Sequence, residues 1–226
     1  MPSTQNVPLN QSLTTQNLSC VRGDRRLFQA VNLHLLPGSL LYILGENGKG
    51  KSSLLRILAG LLQPESGTVL WNEQNIHHEA EAYRAQLLYI GHLNGIKDDL
   101  SAHENLLFSS DISQHAGFNL AFEHILKALH AVGLQGQGHL PVRYLSQGQK
   151  RRVALARLWL DDSGANTDLP AKLWVLDEPF ASLDTEMSGL LASRISQHLA
   201  NRGMAILTTH QPVDIVSHDI QIYRLH

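Results

Sequence analysis

The chain has 226 residues, of which 43% are hydrophobic and 17% charged, enough for one large domain with a sizeable core. Its formal net charge of −2 provides no general basic field, which argues against nucleic acid as a partner. A single cysteine, Cys20, excludes an internal disulfide and a cysteine-based metal site, and no run of about 18 apolar residues is present to span a membrane.

Apolar patterns in the N-terminal half predict strands and one helix around a glycine-rich loop. Val31, Leu33 and Leu35 alternate with polar residues, as in a half-buried strand. The unbroken apolar run over residues 40–44 is typical of a buried parallel strand. The further elements predicted here are a helix over 52–61 and strands over 68–71 and 87–90.

Helical periodicity replaces the strand pattern in the middle of the chain. Gly133 is predicted to stop a helix whose apolar face carries six residues: Phe118, Phe122, Ile125, Leu126, Leu129 and Val132. The elements predicted after this block are strands over 173–176, 204–208 and 220–225 and a helix over 183–199. Because strands and helices alternate on both sides of the block, we predict an α/β fold with a parallel sheet.

The predicted organisation is a single domain over residues 15–226 behind a flexible polar tail over residues 1–14. The helical block, at about residues 98–160, is then a subdomain inserted into that domain. Residues 161–172 are mostly polar and contain Gly, Asn and Pro, so we predict an exposed, mobile loop there. No chemistry is assigned to this loop.

Residues 45–52 match the phosphate-binding pattern G-x-x-x-x-G-K-[ST] at every fixed position. They lie between a predicted strand and a predicted helix, the context in which backbone N–H groups and a helix N-terminus hold phosphates. A chance glycine-rich turn is the weaker alternative. Lys51 is expected to reach the β- and γ-phosphates, and Ser52 to bind Mg²⁺. The residues predicted to bind ATP are Gly45, Glu46, Asn47, Gly48, Lys49, Gly50, Lys51, Ser52 and Ser53.

Two acidic residues, Asp177 and Glu178, follow the apolar strand predicted over residues 173–176. The carboxyl end of a buried strand is where α/β sheets bind their ligands. Asp177 suits a Mg²⁺-bound water, and Glu178 suits the positioning and deprotonation of an attacking water. The alternative for Asp177 is a helix cap, and the accompanying phosphate loop favours the catalytic interpretation.

Three further segments, in order along the chain, resemble the ABC ATPase family. Residues 145–149, LSQGQ, are similar to the family signature LSGGQ. Residues 181–184, ASLD, follow Asp-Glu-Pro and resemble the family's D-loop, and residues 207–210, LTTH, resemble its switch-histidine segment. Together with the phosphate loop, the resemblance covers the chain from about residue 16 to residue 226.

The resemblance implies a P-loop NTPase (ABC ATPase) fold with a parallel core sheet, a small antiparallel β subdomain and an inserted helical subdomain. It implies ATP and Mg²⁺ as cofactors and hydrolysis of ATP, with Glu178, His210 and Lys51 as catalytic residues. It also implies a head-to-tail homodimer, in which the signature of one copy faces the γ-phosphate held by the other. The implied in-trans residues are Ser146, Gln147, Gly148 and Gln149, with Asp184 in the D-loop.

The chemistry of the signature segment supports part of this interpretation independently. Ser146 and Gln149 form the S-x-x-Q pattern of a capping box, which opens a helix. The three basic residues that follow, 150–152, are interpreted as a solvated face, with nucleic acid as a weaker alternative.

Three positions depart from the family pattern. Gln147 replaces the first signature glycine. Residues 20–24 lack the aromatic side chain that stacks on adenine, where Arg22 offers its guanidinium plane instead. His92 stands at the position of the Q-loop glutamine, and because neutral imidazole is a poorer ligand for Mg²⁺, we expect it to act through water or in coupling to a partner.

Several stretches resemble one branch of the family, the ATP-binding subunits of cytochrome c maturation (haem exporter) complexes: residues 87–92, 154–160, 173–180 and 207–212. That resemblance implies integral-membrane partner subunits and a peripheral location on the cytoplasmic face of the cell inner membrane. The alternatives are another ABC exporter, a soluble ABC ATPase of translation or DNA repair, and a small-molecule P-loop kinase. A single domain without sustained heptads disfavours the soluble class, and the LSQGQ segment with His210 disfavours the kinase.

Overall fold

The computed structural model describes residues 11–113, 122–160, 173–209 and 213–226. The predicted loop over 161–172, Phe118 and His210 lie outside these residues. The strands are β1 (Leu13–Arg22), β2 (Arg25–Val31), β3 (His34–Leu35), β4 (Ser39–Leu44), β5 (Ser66–Trp71), β6 (Gln74–Asn75), β7 (Leu87–Ile90), β8 (Leu173–Asp177), β9 (Met204–Thr208) and β10 (Asp219–Arg224). The helices are α1 (Lys51–Leu58), α2 (Ala80–Ala85), α3 (Ala102–Ser113), α4 (Phe122–Ala131), α5 (Gln147–Leu160) and α6 (Thr185–Ala200), with a short 3₁₀ helix at Val142–Tyr144.

A five-stranded sheet with the order β10-β4-β9-β8-β7 forms the centre of the fold, and every neighbouring pair in it is parallel. Its inner strands β4, β8 and β9 are buried along their whole length. Parallel sheets need cover on both faces, which explains why these strands are continuous apolar runs in the sequence. The predicted parallel sheet is confirmed.

The two faces of the parallel sheet pack into two different cores. Along β4, Leu40, Tyr42 and Leu44 join a core that includes residues of α3, α4, α5 and α6. Leu41 and Ile43 point the other way and pack with α1 and the antiparallel strands. The alternation follows from the two-residue period of a strand, and it places the phosphate loop's helix between the two sheets.

A second, antiparallel sheet has the order β2-β1-β5-β6, with β3 added along β1. β1 begins at Leu13, which is fully buried and pairs with β3 and β5. The boundary predicted after residue 14 therefore falls inside a strand. The strand predicted across residues 31–35 is divided as well, because β2 ends at Val31 and β3 begins at His34.

The described helices between residues 102 and 160, which are α3, α4 and α5, pack on one face of the parallel sheet. In α4, Ile125, Leu129 and the following Val132 are buried as predicted, and Gly133 has the left-handed φ of 72° expected of a helix stop. Phe122 and Leu126 belong to the same predicted apolar face, but they are 58% and 40% exposed. The packed face of α4 is therefore narrower than its apolar stripe.

Two further features bear on function. The only thiol, Cys20, lies in β1 with 2% of its surface exposed. Across the described ranges, no helix combines the length and apolarity that crossing a bilayer requires.

Candidate nucleotide-binding site

The glycine-rich loop runs from the end of β4 to the first residue of α1, as the sequence predicted. Gly45, Gly48 and Gly50 have φ values of 151°, 76° and 102°, which favour glycine. A Cβ on Gly45 would lie 2.8 Å from the Leu225 carbonyl oxygen, and one on Gly50 would lie 3.0 Å from Leu27 Cβ. Both the backbone angles and the close neighbours therefore require glycine in the loop.

Lys51 opens α1 and turns its side chain back toward the loop. The residue is 6% exposed, and its Nζ donates to the Gly45 carbonyl at 2.7 Å and to the Glu46 carbonyl at 3.2 Å. Ser52 and Ser53 follow on the first turn of α1 and are half-buried. The first turn of α1 carries no acidic residue that would compete with an anion for the helix N-terminus.

The two acidic residues lie at the carboxyl end of the parallel sheet, with Asp177 closing β8. Thr208, its register partner on β9, donates its hydroxyl to Asp177 Oδ1 at 2.6 Å and accepts the Glu178 N–H at 2.8 Å. Glu178 follows with a left-handed φ of 48°, an unusual value for a residue with a side chain. The helix-cap alternative for Asp177 is wrong, because the cap of α6 is Asp184, which accepts from the Met187 N–H at 2.8 Å.

Asp177 offers a free position for a cation or its water. The residue is 2% exposed, and its Oδ2 is buried with no hydrogen-bond partner among the described residues. Over the same residues, no cluster of three or more His, Cys, Asp or Glu side chains is arranged to hold a metal. This donor set fits Mg²⁺, which is bound with nucleotide phosphates through one or two protein ligands and water.

The signature segment forms the predicted capping box. Ser146 N–H donates to Gln149 Oε1 at 2.8 Å, and Gln149 N–H donates to Ser146 Oγ at 3.2 Å. The helix α5 begins at Gln147, and both Ser146 and Gln147 are exposed. A Cβ on Gly148 would lie 3.4 Å from the Ser182 carbonyl, so the signature adjoins the D-loop segment of its own chain.

Asp184 connects the D-loop segment to the helical subdomain. The Met187 N–H, and then the Arg152 guanidinium, hold the pKa of the Asp184 carboxyl below its ordinary value. Arg152 also donates to the Val132 carbonyl at 3.3 Å, at the end of α4. The ion pair with Arg152 thus joins α5 and α4 to the start of α6.

His92 lies beside Glu178, although the two are far apart in sequence. Its Nδ1 is 4.0 Å from Glu178 Oε2, and the imidazole is 69% exposed while the glutamate side chain is 22% exposed. The strand β7 ends at Ile90 and pairs with β8, which brings the loop after β7 to the loop after β8. The position where the family carries its Q-loop glutamine therefore does adjoin the predicted catalytic carboxylate.

The basic residues 150–152 do not form a solvated face, and that interpretation is wrong. Arg151 is 5% exposed, and Lys150 and Arg152 are half-buried. Lys150 Nζ pairs with Asp98 at 2.7 Å, and Arg152 pairs with Asp184. Sequence reasoning missed this because three consecutive basic residues on a helix are usually solvated, and their acceptors come from loops distant in sequence.

Comparisons with known proteins show which chains this one is similar to. A family model described as ABC transporter matches residues 28–181. The cytochrome c biogenesis ATP-binding export protein CcmA of Dechloromonas aromatica is 46% identical over 213 residues, which cover 94% of this chain and 99% of that protein. The protein of the same name from Haemophilus ducreyi is 46% identical over 206 residues, covering 91% of this chain and 92% of its own length.

Solved structures share the fold. A putative ABC transporter ATP-binding protein from Pyrococcus furiosus superimposes with a TM-score of 0.76 at 22% identity, over 95% of this chain and 98% of that one. An ATP-binding cassette solved as a dimer in a post-hydrolysis state with ADP and phosphate has a TM-score of 0.74 at 19% identity, over 88% of each chain.

Proposed function

The chain belongs to the ABC transporter family of ATP-binding proteins, and from that premise we propose that two copies hydrolyse ATP to drive the membrane subunits of a cytochrome c maturation (haem exporter) system. The observation that carries the proposal is that the phosphate loop and the acidic pair follow the carboxyl ends of β4 and β8, two parallel strands that both pair with β9. The branch is supported by relatives named for cytochrome c biogenesis, one of which is 46% identical over 94% of this chain.

The proposed reaction is in-line attack of water on the γ-phosphate of ATP, in which the bond from the γ-phosphorus to the bridging oxygen breaks and ADP leaves. Lys51 and the N–H groups of residues 45–50 stabilise the charge on the phosphate oxygens. Glu178 positions the water and accepts its proton, while Thr208 holds the backbone of Glu178 through its N–H at 2.8 Å. Ser52 and Asp177 would hold Mg²⁺, which would neutralise part of the phosphate charge.

The site is proposed to be completed by a second copy of the chain. Ser146, Gly148 and the N-terminus of α5 are exposed or half-buried and carry no acidic residue in the first turn, which suits them to a phosphate held elsewhere. A two-fold dimer would give each bound ATP one phosphate loop and one signature. His210 is proposed to contact the γ-phosphate on the basis of the family resemblance alone.

The membrane partner is proposed to bind at the loop that follows β7. Leu93 is 80% exposed there, and Phe108 on α3 is 42% exposed with Lys97 Nζ 3.9 Å above its ring. Exposed apolar side chains beside a cation are suited to receive a helix from an integral-membrane subunit. The chain would then be a peripheral protein on the cytoplasmic face of the inner membrane.

The ATPase proposal is tested with Glu178→Gln, measured by steady-state hydrolysis and by size-exclusion chromatography with ATP. We expect hydrolysis to fall by about 10²–10⁴-fold, because the general base is lost, while ATP still binds and a dimer accumulates. Lys51→Ala tests binding separately: ATP affinity should fall by about tenfold or more because a charge-assisted phosphate contact is lost. Its hydrolysis should also be lost, because Lys51 stabilises the charge on the reacting phosphate. Normal turnover by Glu178→Gln would contradict the assignment.

The membrane partner is tested separately with Leu93→Asp. This variant should keep the ATPase rate of the isolated chain and lose co-purification with co-expressed membrane subunits of a cytochrome c maturation operon. Leu190→Asp is the control, because Leu190 is 45% exposed on α6 and lies outside the proposed surface. Equal recovery of the membrane subunits with both variants would contradict the proposed binding surface.

A further inference from the structure

Arg151, the fifth residue of α5, joins three segments of the active site through one guanidinium. Its Nη2 donates to the backbone carbonyls of Asp177 and Glu178, each at 2.9 Å. Its Nη1 donates to the Gly91 carbonyl at 3.1 Å and to Asn94 Oδ1 at 3.0 Å. The helix that begins at the signature is thereby bonded to the acidic pair and to the loop that carries His92.

Burying the Arg151 guanidinium costs free energy, which argues that the residue has a role beyond packing. Arg151 is 5% exposed, and removing a guanidinium from water carries a large desolvation penalty. Burial lowers the pKa of Arg151 from its ordinary value, while the charges of Asp177 and Glu178 act in the opposite direction. The planar fork of arginine can serve two segments at once, which the ammonium of lysine does less well.

The bonds to residues 177 and 178 hold the backbone at an unfavourable conformation. Glu178 has a φ of 48°, which a residue with a side chain adopts only when its surroundings enforce it. Two side chains hold this backbone by hydrogen bonds. Thr208 accepts from the Glu178 N–H at 2.8 Å, and Arg151 donates to the carbonyls of Asp177 and Glu178. Both contacts act on the backbone that carries the Glu178 carboxylate.

We infer that Arg151 is a positioning residue. It fixes the positions of the catalytic carboxylate of Glu178 and of the loop over residues 91–94 relative to the helix α5, which begins at the signature. The inference rests on the proposed ATPase function. Arg151 does not touch the reacting atoms; it acts through the backbone of Glu178 and through Asn94. Since Arg157, farther along α5, also donates to the Tyr89 carbonyl at 3.3 Å, the helix is fixed to β7 and its loop at two points.

The test compares Arg151→Met and Arg151→Lys with Arg194→Met in the full-length chain. Arg194 is the matched control, because it is 4% exposed and also donates to a backbone carbonyl, that of Leu158, at 2.9 and 2.7 Å. We expect Arg151→Met to lower kcat by about a hundredfold with little change in KM for ATP, as misplacement of a catalytic group by about 1 Å does. Arg151→Lys should recover part of kcat.

A purely structural role would lower the melting temperature of Arg151→Met and Arg194→Met alike and leave the kcat of both folded proteins unchanged. That result would overturn the inference. Asn94→Ala provides a second measurement that does not remove a buried charge. In a double-mutant cycle with Arg151→Met, the effects of the two changes on kcat should be non-additive, because both remove the same contact, and additive effects would contradict the link to the loop.

Failure of the inference is distinguishable from failure of the proposed function. Lys51→Ala and Glu178→Gln report on ATP hydrolysis itself and should be inactive whatever Arg151 does. If both are inactive while Arg151→Met retains its kcat, the ATPase assignment stands and the positioning role is rejected.

Discussion

At the end of β9, one hydroxyl group serves both acidic residues of the site. Thr208 is fully buried, donates to the side chain of Asp177 at 2.6 Å and accepts from the backbone of Glu178 at 2.8 Å. Because its donor and its acceptor functions are both used, the hydroxyl fixes which oxygen of Asp177 remains for a cation.

Replacing Thr208 by Val, which has nearly the same shape, removes this hydroxyl. We expect a loss of about 1–3 kcal/mol in the free energy of unfolding, since a buried carboxylate oxygen and a partly buried N–H lose their partner. The affinity for Mg²⁺–ATP should fall as well. Urea denaturation and a Mg²⁺ titration of ATPase activity measure the two effects, and Thr208→Ser, which keeps the hydroxyl, should behave nearly as the unmodified chain.

His92 offers a second test at a single residue. Its ring is 69% exposed and 4.0 Å from the Glu178 carboxylate, a distance too long for a direct hydrogen bond. We expect His92→Gln to leave the ATPase rate largely unchanged, because the amide can take the same water-mediated role. A collapse of turnover, measured under saturating ATP, would show that the imidazole does specific chemistry.

At this scale, the sequence predicted the residues whose roles depend on local pattern. The phosphate loop, the acidic pair and the Ser146–Gln149 capping box are each contiguous, and the structure shows the expected strand, loop and helix around them. Thr208 and Arg151 could not be found in this way, because their partners lie 30 and 27 residues away from them at Glu178 and depend on strand register and helix packing.

Among the elements, the junction between β1 and β5 depends on one glycine. Gly67 has a φ of 88°, and a Cβ there would lie 2.4 Å from the Gln16 carbonyl oxygen. We expect Gly67→Ala to lower the free energy of unfolding by about 2 kcal/mol or more, through backbone strain and the clash.

The matched control for Gly67 is Gly189, which is exposed on α6 with no atom within 4 Å of an added Cβ. Gly189→Ala should instead raise the free energy of unfolding by about 0.5–1 kcal/mol, since alanine has less conformational freedom to lose in a helix. Thermal unfolding of the two variants should show a lower melting temperature for Gly67→Ala and a higher one for Gly189→Ala. Equal changes in melting temperature would contradict the proposed clash and strain at Gly67.

The inner strands β4, β8 and β9 were predicted to within one residue, because burial on both faces leaves unbroken apolar runs. The edge strands β7 and β10 are less buried, and their bounds were also predicted to within one residue. The long strands β1 and β2 gave no clear pattern. Their pairing shifts register between Leu18 and Val21, and Asn17 and Ala30 have positive φ, so the two-residue alternation is interrupted. Their existence was expected only from the family resemblance.

For the whole molecule, the proposed dimer predicts that two variants, each inactive alone, regain ATPase activity when they are mixed. One variant, Lys51→Ala, has a disabled phosphate loop and an intact signature. The other variant, Ser146→Arg, has an intact phosphate loop and a disabled signature. Each variant alone should be inactive, whereas a mixed dimer keeps one intact site, formed by the loop of one copy and the signature of the other. We expect an equimolar mixture to regain activity, up to about a quarter of that of the unmodified chain if the copies exchange freely and the sites act independently. No regain on mixing would contradict the shared site.

The burial of Cys20 has a practical consequence for fluorescence measurements on the proposed dimer. Burial raises the pKa of the thiol and keeps the chain's only sulfhydryl out of reach of maleimide dyes. A cysteine placed at the 69%-exposed Tyr144, next to the signature, would therefore be the one site that takes a fluorophore. Energy transfer between two copies labelled at residue 144 would report each opening and closing of a single proposed dimer in real time.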